Sequence, residues 1–244
     1  MAISLWSLIW ATDSVSKGVL LILLCMSIIC WALALYKRTE MNAKIKSLTQ
    51  AKGLFQKTRG LNDLLARMSV IQTTFAGELV TLFLNDFKKL LRAYDSQTGA
   101  VNDRDWYLLQ ASVNQRIDET LSKEESLLSF LSVATAASPL LGLFGTVWGL
   151  IHAFTAIAEQ RSADIAAVAP GIAEALITTL AGLLVAIPGL MLYMYLLSKL
   201  KTLEHEIVDL ADTSLWIMRG VISSDNFSAN VVTKSSVTIS QELL

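Results

Sequence analysis

An all-α integral membrane protein with three transmembrane helices, two of them very long and extending into the cytoplasm, is the fold class the sequence predicts. Three observations predict it. Hydrophobic residues make up 53% of the chain and charged residues only 17%, whereas soluble domains are about a quarter charged. Residues 18–36, 126–158 and 175–198 contain no Asp, Glu, Lys or Arg, and each run approaches or exceeds the roughly 20 residues a helix needs to cross hydrocarbon. Outside these runs, apolar residues recur at helical spacing.

The elements follow in order. Residues 1–17 carry ISLWSLIW, in which Trp6 and Trp10 stand among Leu and Ile; such a stretch suits a headgroup boundary and predicts a periplasmic amphipathic helix. The first span is 18–36, and Cys25 and Cys30 inside it read as apolar packing residues. Lys37, Arg38, Lys44, Lys46, Lys52, Lys57 and Arg59 come directly after it. Basic residues are retained on the cytoplasmic side, which places the N-terminus outside. Residues 37–125 then form a cytoplasmic helical region. In it Leu61, Leu65, Met68, Phe75, Leu79, Leu82 and Leu90 share helical spacing, and SQTGAVNDRD marks a turn.

After the turn, Trp106, Leu109, Val113, Ile117, Leu121 and Leu128 run without a breaker into the second span, 126–158, so one long helix should join region and span. Residues 159–164, EQRSAD, make a short periplasmic loop. The third span, 165–198, returns to Lys199 and Lys201 and continues over 199–220 through Leu200, Leu203, Ile207, Leu210 and Ile217 until Gly220 stops it. The Ser-, Thr- and Asn-rich residues 221–244 are expected to form a flexible tail.

Several functional classes fall away. A net charge of -1 gives no basic face for nucleic acid. There is no phosphate-binding Gly-rich loop, no nucleophile elbow and no His or Cys cluster at metal spacing. His152 and His205, the two histidines, read as surface or packing residues. An intramembrane hydrolase would have to pair Ser138 with His152, about 21 Å apart along one helix axis. No enzymatic activity is expected.

What remains is a site at membrane depth. Glu174, in APGIAEALITTLAG, is the one charged residue between Asp164 and Lys199. Placing an acidic side chain there costs roughly 2.5 to 3.5 kcal/mol, so such a residue is by default functional. Hydrocarbon disfavours the ionised form of any carboxyl, and a carboxyl poised between its two forms can bind and release protons. Hydroxyls that could pass a hydrogen bond come from Thr146, Thr178 and Thr179. Gly142, Gly145 and Gly149 on one span, with Pro170, Gly171 and Gly182 on the other, are candidates for close helix packing. The chain has no second acidic group at that depth, so directional transport needs a carboxylate from another polypeptide. One charge crossing 100 mV releases about 2.3 kcal/mol, enough for a few protons to drive movement of partner helices.

SPLLGLFGTVWGLIHAF at 138–154, followed by VAPGIAEALITTLAGLLVAIP at 168–188, resembles the signature of the TolQ and ExbB proton-channel family, relatives of the flagellar MotA stators. The resemblance implies a bacterial inner-membrane homopentamer whose second and third spans line a pore. Within it sits a dimer of a TolR- or ExbD-like single-span protein with an essential Asp, and the assembly acts on a TolA- or TonB-like periplasm-spanning protein. Lipid surrounds it, and protons are the coupling ion with no other cofactor. By motif position, Glu174 is the glutamate of the third span, and Thr146 and Thr179 are pore threonines. Helical geometry selects Thr178 instead, because it shares the face of Glu174 whereas Thr179 lies about 140° around the helix. WGLIHAF and WALALYKRT resemble the TolQ branch, with Tol-Pal envelope maintenance and cell division as its work. The alternatives are an ExbB-like subunit energising TonB-dependent transport and a non-conducting scaffold for partner helices.

Overall fold

The computed structural model describes residues 14–55, 73–95, 103–160 and 165–241. Four helices occupy nearly all of them: α1 Ser14–Phe55, α2 Phe75–Asp95, α3 Asp103–Gln160 and α4 Ile165–Gln241. Three of these, α1, α3 and α4, are long and apolar enough to cross a membrane. The amphipathic helix expected at 1–17 lies outside the described residues up to position 13, and 14–17 already belong to α1. Leu61, Leu65 and Met68, residues 96–102 of the expected turn and residues 161–164 of the expected loop also lie outside them.

The helices contribute to two compact units. The first combines the chain up to Thr39 with Glu124–Ser198, and the second combines Glu40–Lys123 with the chain from Lys199 onward. All three uncharged runs fall in the first unit. Its surface carries Leu140, Phe154, Leu176, Leu184 and Met191, each more than 60% exposed. Water would not tolerate so continuous an apolar face, and hydrocarbon requires it.

Within the first unit α1 buries Ser16, Val19, Leu23, Cys30, Ala34 and Lys37. Their steps of three, four and seven trace one stripe along a helix. Cys30 packs as expected, but Cys25 is exposed, because it falls on the opposite side of α1 from that stripe. Near the end of the stripe, Lys37 Nζ donates to Glu124 Oε2 at 2.7 Å, with both side chains under 10% exposed. This ties α1 to α3. Pro139, Pro170 and Pro188 lie inside helices; each lacks an N–H, a defect that apolar helices accommodate when neighbouring groups satisfy the freed carbonyl.

In the second unit α2 buries Ala76, Leu79, Val80, Phe83, Leu84 and Phe87. Thr74 caps it, its hydroxyl accepting from Gly77 N at 3.3 Å. Asp86, on the same helix, accepts from Arg116 Nε at 2.9 Å, Ser112 Oγ at 3.0 Å and Lys89 Nζ at 3.1 Å. These bonds hold its carboxyl well below its ordinary range, at about 2, the Arg116 hydrogen bond being the largest cause. The α4 residues Leu203, Ile207 and Leu210 are fully buried, and Lys52 of α1 is paired with Asp209 of α4. The expected stop at Gly220 is not met. The residue keeps a right-handed backbone and α4 runs on to Gln241, so residues 221–241 of the segment expected as a tail are helical in their backbone, and 242–244 lie outside the described residues. A glycine inside a helix costs only about 1 kcal/mol relative to alanine and ends it only when it turns left-handed.

Candidate functional site in the α3–α4 helix pair

Small residues bring α3 and α4 together within the first unit. A methyl group placed on Gly142 would lie 3.0 Å from Thr178 O and 3.3 Å from Gly182 Cα, and one on Gly149 would lie 2.9 Å from Ala175 Cβ. Gly189 meets Thr135 and Gly171 meets Ala153 in the same way, at 2.5 and 3.3 Å. Thr135, Gly142 and Gly149, one heptad apart on α3, therefore face Gly189, Gly182 and Ala175, one heptad apart in reverse order on α4. Such matching defines an antiparallel pair with backbones almost in contact. A methyl group on Gly142, Gly145, Gly149, Gly171 or Gly182 would lie 3.3 Å or less from an atom of the facing helix. Pro170 is exposed and stands outside the seam, because it falls on the flank of α4 away from Gly171 and Ala175.

The three threonines take different positions on this seam. Thr178 is fully buried, and its Oγ1 donates to Ala175 O, its own backbone, at 2.8 Å. Gly145 leaves the space for it: a methyl there would come within 2.5 Å of that hydroxyl. The short bond is local, as those of hydroxyls in apolar helices often are, and the same Oγ1 lies 3.5 Å from Gly142 O across on α3. Thr179 is half-buried and reaches across to α3, its Oγ1 lying 3.0 Å from Gly142 O and 3.2 Å from Thr146 Oγ1. Thr146 in turn donates to Leu143 O at 2.7 Å. With its proton committed, the Thr146 oxygen can accept from Thr179, and the two half-buried oxygens keep lone pairs for a further donor.

Glu174 is half-buried on α4, one turn before Thr178. On an ideal helix it stands about 140° from Thr179, so the two flank the seam on opposite sides. The structure brings the Thr146 and Thr179 hydroxyls together.

On α3, the rings of Phe144, Trp148 and His152 form a ladder with centroids 6.4 and 5.7 Å apart. Ser138 is fully buried and its Oγ donates to Ala134 O at 2.8 Å. His205 is exposed, its Nε2 3.9 Å from Asp209 Oδ2. Among the described residues no group of three or more His, Cys, Asp or Glu side chains could hold a metal ion. Sequence reading missed the Lys37–Glu124 pair, having counted Lys37 only as a flanking charge. The available signal was a basic residue at the close of one uncharged run and an acidic residue two positions before the next.

This arrangement, a pair of closely packed apolar helices with one carboxyl and a crossing pair of hydroxyls, defines a membrane protein of the proton-channel class. Residues 79–209 match the model of the MotA/TolQ/ExbB proton channel family, and the chain belongs to that family. It is 30% identical to the Tol-Pal system protein TolQ of Haemophilus influenzae over 77% of this chain and 82% of that one. It is 33% identical to the Tol-Pal system protein TolQ of Pseudomonas aeruginosa over 78% and 81%. Identity to the biopolymer transport protein ExbB of Neisseria meningitidis serogroup A is 29%, over 80% and 88%. The family match contains Glu174, Thr146, Thr178 and Thr179.

Proposed function

We propose that the protein is a proton-conducting stator subunit of a bacterial inner membrane, a transport component rather than an enzyme. Five copies surround a dimer of a TolR- or ExbD-like single-span protein, and proton flow down the proton-motive force moves the partner helices. Glu174 is the proton-accepting group; Thr146 and Thr179 supply hydroxyls toward the pore, and Thr178 holds the helix on the glutamate's face. Protons are the coupling ion. The N-terminus is periplasmic, and the second compact unit lies in the cytoplasm beside the basic residues that follow the first span. The observation that carries the reading is one carboxyl, Glu174, on an apolar helix of a chain that belongs to a proton channel family.

The test is proton uptake into liposomes holding the chain with and without its co-expressed single-span partner. Uptake under an imposed potential should require both the partner and Glu174, and Glu174→Gln should abolish it while leaving the complex assembled. A Gln variant that conducts like the native chain makes the protein a scaffold and sinks the reading.

The client we propose is the Tol-Pal envelope system, with a TolA-like periplasm-spanning protein and a role in cell division. Its support is the pair of Tol-Pal relatives and the run WGLIHAF. The similarity to ExbB supports the second reading, TonB-dependent transport. Complementation of strains lacking one or the other subunit separates them.

A further inference from the structure

Two neighbouring basic residues of α1 have different surroundings where its uncharged run ends. Lys37 belongs to the buried stripe and is bonded to Glu124 of α3. Arg38, the next residue, is exposed. Among the described residues its guanidinium pairs with no carboxylate, and it lies 5.6 Å from the centre of the Tyr195 ring on α4. A guanidinium placed over a ring commits its face, and the N–H groups in its plane remain able to donate outward.

Beside this cation a cleft of about 190 Å³ opens between α1 and α4. Ala34 and Leu196, both buried, line it together with Trp31, Leu35 and Tyr195, each at least 40% exposed. At position 34 the side chain is only a methyl group, which leaves the space between the helices unfilled. Trp31 and Arg38 are seven residues apart, about 10 Å along the helix. The cleft is thus apolar along its length and has a cation at one end, and that end is where the uncharged run 18–36 gives way to Lys37 and Arg38. Trp and Tyr beside such a boundary favour the headgroup level of a bilayer. A free phosphate would meet the cation and leave the apolar cleft empty, and an apolar helix would fill the cleft and leave the cation unmatched. A lipid with a negative headgroup matches both.

We propose that this cleft holds one acyl chain of an anionic phospholipid, whose phosphate accepts hydrogen bonds from the Arg38 guanidinium. The planar fork of Arg suits a phosphate, and a headgroup with no ammonium of its own leaves the full Coulomb attraction in place. On the orientation proposed above the lipid belongs to the cytoplasmic leaflet; the binding itself does not depend on that orientation.

The experiment uses the full chain, co-expressed with its single-span partner and purified in mild detergent. Phosphatidylglycerol with brominated acyl chains is titrated in, and quenching of the Trp31 emission, assigned by its loss in Trp31→Phe, is followed. Quenching should saturate in the native chain. Arg38→Gln should weaken binding roughly tenfold, the effect of one lost charge-assisted hydrogen bond, and Ala34→Leu, which fills the cleft, should abolish the saturable component. Lys46→Gln, at an exposed position eight residues further along α1, should bind like the native chain. Brominated phosphatidylcholine, with the same chains and a zwitterionic headgroup, should bind more weakly than phosphatidylglycerol. Equal losses in Arg38→Gln and Lys46→Gln would mean general attraction to a basic segment and overturn the inference, as would native binding by Arg38→Gln or equal binding of the two lipids. A Trp31 that neither lipid quenches is covered by protein, a second copy or a partner helix, and also overturns it. If Ala34→Leu does not assemble, Arg38→Gln decides alone. Proton flux plays no part in this readout, so a conducting Glu174→Gln overturns the proposed function and leaves the lipid site standing.

Discussion

Thr146 and Thr179 show how little polar material a membrane site needs. Each hydroxyl has a backbone carbonyl within reach, Leu143 O at 2.7 Å and Gly142 O at 3.0 Å, so neither is left unsatisfied in an apolar setting. That security makes the contact between them, at 3.2 Å, optional: the Thr179 proton can turn from Gly142 O to Thr146 Oγ1 without leaving a buried donor orphaned. A hydroxyl pair with two nearly equivalent arrangements suits a path on which charge passes intermittently. Replacing Thr179 by Val keeps the shape and removes the choice, and proton flux should fall roughly tenfold if one hydrogen bond is lost from the path. Thr146→Val should do the same. Because the pair acts as one unit, the double variant should be no worse than either single one. Liposome flux measured on all three checks this, and strictly additive losses would show that the hydroxyls act independently. Thr178→Val should instead act on packing, since its hydroxyl bonds its own helix.

The α3–α4 pair is built at the scale of the element, and its glycines rank by what lies opposite them. A methyl group on Gly182 would come 2.7 Å from the Ser138 carbonyl oxygen and 3.1 Å from Gly142 Cα, both backbone atoms that cannot step aside. Gly182→Ala should destabilise the fold by about 1 to 3 kcal/mol through forced separation of the helices. Gly53→Ala meets nothing within 4 Å and should gain up to about 1 kcal/mol from helix propensity. Thermal melts of the detergent-solubilised chain compare the two, and equal melting points would deny the close approach. The sequence already displayed much of this. Charge-free runs and spacings of three and four gave the long helices, and Gly142, Gly145 and Gly149 announced the packed face. Partner choice was hidden, because an ion pair between Lys37 and Glu124, 87 residues apart, depends on register between helices. Gly220 misled because its local meaning as a stop depends on a left-handed turn that the chain does not make.

Across the whole molecule, polar chemistry is divided between the two compact units. The first confines charge to its ends and to Glu174, while the second is fastened by ion pairs such as that of Asp86 with Arg116. Asp86 is 8% exposed, and its carboxyl is held at about 2 against an ordinary 3.8. A depressed carboxyl stabilises the fold at every pH above its unfolded value and loses that contribution as pH falls through the folded value. The window therefore lies between roughly pH 4 and pH 2, and the contribution above it is about 2 kcal/mol. Asp86→Asn should be less stable than the native chain by about that amount at neutral pH, and the gap should close as pH falls toward 2. Denaturant unfolding of the full chain in detergent, followed across that range, tests the sign as well as the size. A gap that widened in acid would mean that Asp86 is protonated in the fold, and a constant gap would assign its effect to packing. Function at neutral pH leaves this carboxylate ionised throughout, so proton flux should be insensitive to it between pH 5 and pH 8, a range far above the value near 2. Asp86 is pinned to its charge by three donors, Lys89 on α2 and Ser112 and Arg116 on α3.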